Sequence, residues 1–67
     1  MDNVRVLPLS AIRTNARFAI YSEAEGLISE HDTAGESMRG LAAHVEFNPQ
    51  TKARIYQRTR EGWEAIL

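Results

Sequence analysis

The apolar positions along the chain change their period twice. In "RFAIY" they alternate, so Phe18 and Ile20 share one face of a strand while Arg17, Ala19 and Tyr21 share the other. The β-branched and aromatic enrichment supports that reading. "EAEG" follows as a turn whose glycine can take a positive φ, and "LISEH" returns, so a hairpin is expected. Over "DTAGESMRGLAAHVEFNPQ" the period lengthens. Met38, Leu41, Ala42 and Val45 recur at i, i+3, i+4 and i+7, the single apolar stripe of a helix. Thr33 and Glu36 have the spacing of a capping box, Asp32 can cap as well, and Asn48-Pro49 ends the helix. Gly35 and Gly40 weaken it by about 1 kcal/mol each relative to alanine, so it needs a sheet to lie on. Strand period resumes in "TKARIYQRT", with "REG" as turn and "WEAIL" as return strand. Ala53, Ile55, Gln57 and Thr59 face one way, and Arg54, Tyr56, Arg58 and Arg60 the other.

These elements predict an α+β domain, ββαββ, spanning residues 1–67 as one unit. Its antiparallel sheet has four strands, or five if "VRVLPL" adds an edge strand that Pro8 closes. Residues 1–14 thus read as an edge strand or an arm. One helix covers one face of the sheet and the other face is expected bare. Phe18, Ile20, Ile28, Met38, Leu41, Val45, Phe47 and Ile55, with Ile66 or Leu67, form the expected core. A chain this short buries only about 60% of its unfolded surface. With no cysteine, disulfides and thiolate metal sites are excluded, and a homodimer is an expected route to further burial.

Charge changes the picture by its distribution. The formal net charge of −1 argues against strong non-specific phosphate binding. Yet Glu23, Glu25, Glu30, Asp32 and Glu36 form an acidic block without Lys or Arg, between two segments that each carry a surplus of +2. No apolar run approaches the ~20 residues of a bilayer span, and the N-terminus lacks the pattern of a secretory signal. A cytoplasmic protein without a membrane partner is expected.

Two features carry candidate chemistry. On the expected bare face, Arg17, Tyr21, Arg54, Tyr56, Arg58, Arg60 and Trp63 interleave rings with guanidinium groups. Such a face suits a protein partner, because Tyr, Trp and Arg are enriched at binding hot spots. It also suits nucleic acid, with bases stacked on rings and phosphates held by Arg54, Arg58, Arg60 and Lys52. The simplest alternative is an ordinary solvated strand surface. The acidic block reads as a solvated turn and helix start, or as an anionic patch for a basic partner. No catalytic, metal or cofactor residues are expected: the serines lack triad context, no glycine-rich phosphate loop is present, and neighbouring Glu30, His31 and Asp32 point to opposite sides of a strand.

"FAIYSEAEGLISEHDTAGESMRGLAAH" followed by "ARIYQRTREGWEAI" resembles the small uncharacterised bacterial and phage domains built as hairpin–helix–hairpin, with an Asp-Thr pair opening the helix. The resemblance spans residues 17–66 and implies the ββαββ fold but no activity. "VRVLPLSAIRTN" is similar to the opening of ParB-type partition proteins, but the Gly-Glu-Arg-Arg box of that family is absent, so no function carries over. The expected role is a non-catalytic protein-binding module, of the accessory inhibitor or adaptor type found in phages and plasmids. A nucleic-acid-binding protein and a structural homodimer are the alternatives.

Overall fold

A computed structural model describes residues 6–67. Five strands and one helix follow in the order β1 (Val6–Leu7), β2 (Phe18–Ser22), β3 (Gly26–His31), α1 (Ala34–Phe47), β4 (Arg54–Arg58) and β5 (Trp63–Ala65), with a short 3-10 turn at Leu9–Ala11 after β1. All strand pairings are antiparallel, in the spatial order β1-β5-β4-β2-β3. The sheet is open, with β1 and β3 as its edges. This is the expected α+β architecture, and "VRVLPL" does supply the fifth strand, of which Val4 and Arg5 lie outside the described residues.

Register decides which side chains share a face. Val6, Glu64, Gln57, Phe18 and His31 stand in one row across the sheet, and Ile55, Ile20 and Ser29 in another on the same side. Between these rows, Ala65, Tyr56, Ala19 and Glu30 point the opposite way, as do Leu7, Trp63 and Arg58. Across β2 and β3 the register slips at Ile20/Tyr21, so Ile28 is an extra residue, a bulge that keeps it packed towards the helix.

The helix begins and ends where local chemistry says it must. Thr33 is its N-cap, accepting from the Glu36 N–H at 3.2 Å, and Asn48 closes it by donating its own N–H to the His44 carbonyl. Its face towards the sheet differs from the expected stripe. Ala34, Ser37, Gly40, Leu41 and His44 turn inward, and Ser37 is fully buried, its hydroxyl donating to the Ala34 carbonyl at 2.7 Å. The backbone comes so close that a Cβ on Gly40 would lie 2.9 Å from His31 Nε2 and 3.2 Å from Ile20 Cδ1. Only small residues allow that approach. The bulkier Met38 and Val45 are therefore swung aside, 51% and 42% exposed, and Phe47 is 82% exposed. These three, with Ile66 and Leu67, leave the expected core.

A second correction concerns the other face, which is not bare. After Pro8 the 3-10 turn, closed by Ala11 N–H donating to the Pro8 carbonyl, folds the arm back over the sheet. Ile12, Leu7 and Ala11 pack there against Ala19, Tyr56 and Trp63, and the Trp63 indole N–H donates to the Leu9 carbonyl at 3.4 Å. Trp63 is 1% exposed and Tyr56 7%. The sheet thus separates two small cores, with Phe18, Ile20 and Ile55 under the helix and Ile12, Ala19, Tyr56 and Trp63 under the arm. A short chain gains most by burying apolar surface on both sides of its sheet.

Candidate functional site

Alternation along β4 and the residues before it puts Lys52, Arg54 and Tyr56 on the arm side of the sheet. Beside them Tyr21 of β2 meets Tyr56 edge to face, with ring centroids 5.9 Å apart and planes at 77°. Leu7 from the arm and Ser22, Glu23 and Ala24 from the first hairpin complete a cleft of about 390 Å³ with the two tyrosines, Lys52 and Arg54. The volume falls within the ~300–1,000 Å³ of typical ligand sites. Arg54 donates from Nε to the main-chain oxygen of Leu67 at 3.3 Å, and among the described residues neither Arg54 nor Lys52 is paired with an Asp or Glu side chain. The cleft therefore offers two cations and one carboxylate, Glu23, beside the tyrosine pair. A shallower hollow of about 530 Å³ lies at the end of the helix, between Glu25 and residues 47–51.

Of the expected site residues, Tyr21, Arg54 and Tyr56 come together in this cleft. Tyr56 presents little of its ring, and Trp63 is a core residue, so neither can serve as the exposed anchor expected of it. Arg58 is committed elsewhere: its guanidinium donates to the Asn15 and Thr14 carbonyls at 2.9 and 3.4 Å and lies 5.9 Å from the Trp63 ring. It pins the arm. Arg60 falls outside β4, because Thr59 closes a tight turn there. The Thr59 N–H donates to the Gly62 carbonyl at 2.7 Å, and its hydroxyl accepts from the Gly62 N–H at 3.2 Å. Arg17 is exposed and passes its carbonyl to the Arg58 N–H.

The acidic residues do not converge either. Glu23 lines the cleft, and Glu30 points to the arm side, where the Thr14 hydroxyl donates to it at 2.5 Å. Asp32 is exposed ahead of the helix, and Glu36 approaches His31 across it. Glu25 is a structural hub. It accepts from His44 Nε2 at 2.8 Å, from the Thr51 hydroxyl at 2.5 Å and from Ser22 at 3.2 Å, tying the first hairpin to the end of the helix and the loop beyond. The Thr51 hydroxyl is the main reason its carboxyl sits below the ordinary 4.5; partial desolvation opposes this, and His44 and Ser22 add to it. Sequence reasoning could not find this hub, since two of its partners, His44 and Thr51, lie 19 and 26 residues away.

One further constellation emerges on the helix side. Ser29 Oγ lies 2.9 Å from His31 Nε2, and His31 Nδ1 lies 3.9 Å from Glu36 Oε1. The order is that of a nucleophile, base and acid. The acid, however, is beyond hydrogen-bond distance, and neither hollow described above includes Ser29. Among the described residues no group of three potential ligands converges on a metal position, and no helix is long and apolar enough to cross a membrane. No protein-family model matches the chain, and neither a curated protein nor a solved structure matches it.

Proposed function

We propose that the protein is a small non-catalytic binding module whose Tyr21–Tyr56 cleft takes an extended, acidic segment of a protein partner. The observation that carries this reading is the meeting of Lys52 and Arg54, both without an Asp or Glu side-chain partner among the described residues, with the Tyr21–Tyr56 pair in one hollow. A carboxylate would lie against the two cations while an apolar or aromatic side chain rests on Tyr21 and Leu7. Such a module acts as an adaptor or inhibitor by occupying its partner's segment. No covalent step is needed.

The experiment is a titration of isotope-labelled protein, followed by NMR, with three probes: acidic hexapeptides containing an aromatic residue, basic hexapeptides of equal length, and oligo(dT). Only the acidic peptides are expected to shift Tyr21, Lys52 and Arg54, with the shifts lost in the Lys52→Glu/Arg54→Glu variant. Binding by oligo(dT) alone, weakening steeply with salt, would replace this reading with the nucleic-acid one. Hydrolysis of p-nitrophenyl acetate that disappears in Ser29→Ala would overturn its non-catalytic part.

A further inference from the structure

Besides its two cations, the Tyr21–Tyr56 cleft carries a charge of the other sign. Glu23, just past the end of β2, lines it together with Lys52 and Arg54. It is exposed, and among the described residues it stands in no ion pair. Continued by two residues, the pairing of Tyr21 with Arg54 would set Glu23 opposite Lys52. However, β2 ends at Ser22 and β4 begins at Arg54, so no ladder draws the two charges together. The segments that carry them are nevertheless fixed to one another. The Ser22 hydroxyl accepts the Glu25 N–H at 2.9 Å and closes the turn around Glu23. The Thr51 hydroxyl accepts the Ala53 N–H at 3.1 Å and braces the backbone around Lys52 in the same way. That hydroxyl also donates to the Glu25 carboxylate, which joins the two segments. Opposite charges therefore stand in one cleft, unpaired, on backbones whose separation is set before a ligand arrives.

We infer that Glu23 makes the cleft select charge order: the bound segment carries one acid, with an apolar residue two positions to one side of it and a Lys or Arg two positions to the other. This rests on the cleft taking an acidic segment and adds which acidic segment it takes. The spacing comes from β4. Tyr56 and Arg54 stand about 7 Å apart on one face, and Lys52 lies one such step further. An extended peptide laid along them presents its own side chains with the same repeat. Its apolar residue rests against Tyr56 and Leu7, and its acid meets Arg54 beside Tyr21. Lys52, on its four-carbon stem, reaches back to that acid. Glu23 has the shorter side chain and stays at the hairpin end, where the third inward residue arrives. A base there finds a counter-charge, whereas a second acid meets like charge. The repulsion is what separates this segment from a plain run of acids.

NMR titration of the full chain at low ionic strength, where exposed charges are least screened, tests this. The probes are end-blocked pentapeptides Phe-Ala-Asp-Ala-Xaa, with Lys, Ala or Asp as the last residue, and the same three written in reverse. In the chain direction that binds tighter, the Lys peptide is expected to bind about fivefold tighter than the Asp peptide, with the Ala peptide between them. Glu23→Lys is expected to invert that order, and Glu23→Gln to bring all three within about twofold of one another. Wild type that already binds the three within about twofold overturns the inference and leaves the acidic-segment reading standing, as does a preference that Glu23→Lys leaves unchanged. Binding by none of the peptides overturns both. Shifts of Tyr21, Lys52 and Arg54 on concentrating the protein alone would give the cleft to a second copy of the chain and overturn the inference as well.

Discussion

An alanine at position 62 would carry its Cβ 2.1 Å from the Leu7 carbonyl oxygen and 3.3 Å from Val6 Cγ1, on a residue whose φ is +149°. Real Cβ atoms essentially never come within 3.0 Å of such a neighbour, so about 1 Å of separation must be found. The atom in the way belongs to the backbone of β1, and no side-chain rotation relieves it. The edge strand must retreat, loosening its pairs Val6↔Glu64 and Leu7↔Trp63 and the arm that covers Trp63. Backbone strain in the positive-φ region costs roughly 1–2 kcal/mol. The lost pairing and apolar cover add a similar amount. A loss of about 3 kcal/mol is a large share of the ~3–10 kcal/mol that a domain of this length holds. At roughly 4–8 °C per kcal/mol, the melting temperature should fall by about 12–24 °C.

Thermal unfolding followed by tryptophan fluorescence reads both consequences, because Trp63 is the only tryptophan and is buried. Its emission should shift to the red in folded Gly62→Ala. Gly26→Ala is the control. Its φ is +81° but nothing lies within 4 Å of an added Cβ, so strain alone applies, about 1–2 kcal/mol with unchanged emission. Equal losses at the two positions, or a Gly62→Ala variant melting within about 4 °C of wild type with native emission, would refute the account of β1.

Two more outcomes follow from the same contacts. Arg58→Ala releases the Thr14 and Asn15 carbonyls and uncovers the Trp63 ring, and should cost about 1–2 kcal/mol; Arg58→Lys should recover only part, since an ammonium lacks the planar fork that meets both carbonyls, and chemical denaturation at pH 7 measures each. Glu25 has a folded pKa below its ordinary 4.5, so the stability it contributes is present above that value and is lost as pH falls through the folded one. Glu25→Gln should therefore have a lower urea midpoint than wild type at pH 7, with the gap closing as pH falls below 4.5 and through the lowered folded value. A gap that persists or widens in acid would mean that the carboxylate charge is not what Ser22, His44 and Thr51 hold.

How much was written locally can be seen residue by residue. The strands around Phe18 and Ile55, the turn at Gly26, the Thr33 cap and the Asn48-Pro49 stop are all encoded within a few positions of where they act. Periodicity, capping and positive φ are short-range properties, so a single sequence displays them. The pairing of Tyr21 with Arg54 on one face was legible in the same way, from alternation alone. The Glu25 hub and the Arg58 clasp were not, because each joins segments that are neighbours only after folding.

What the tertiary structure alone decided is which apolar groups meet which cover. Trp63 and Tyr56 look the same in the sequence whether they face water or lie beneath Ile12 of the arm. Met38 and Val45 form as regular a stripe as any core-facing one, yet the close approach at Gly40 turns the small side of the helix inward and leaves them outside. Periodicity states that a helix has an apolar side. Which side a sheet accepts is a question of volume and backbone distance between remote segments, and those exist only once the chain has packed.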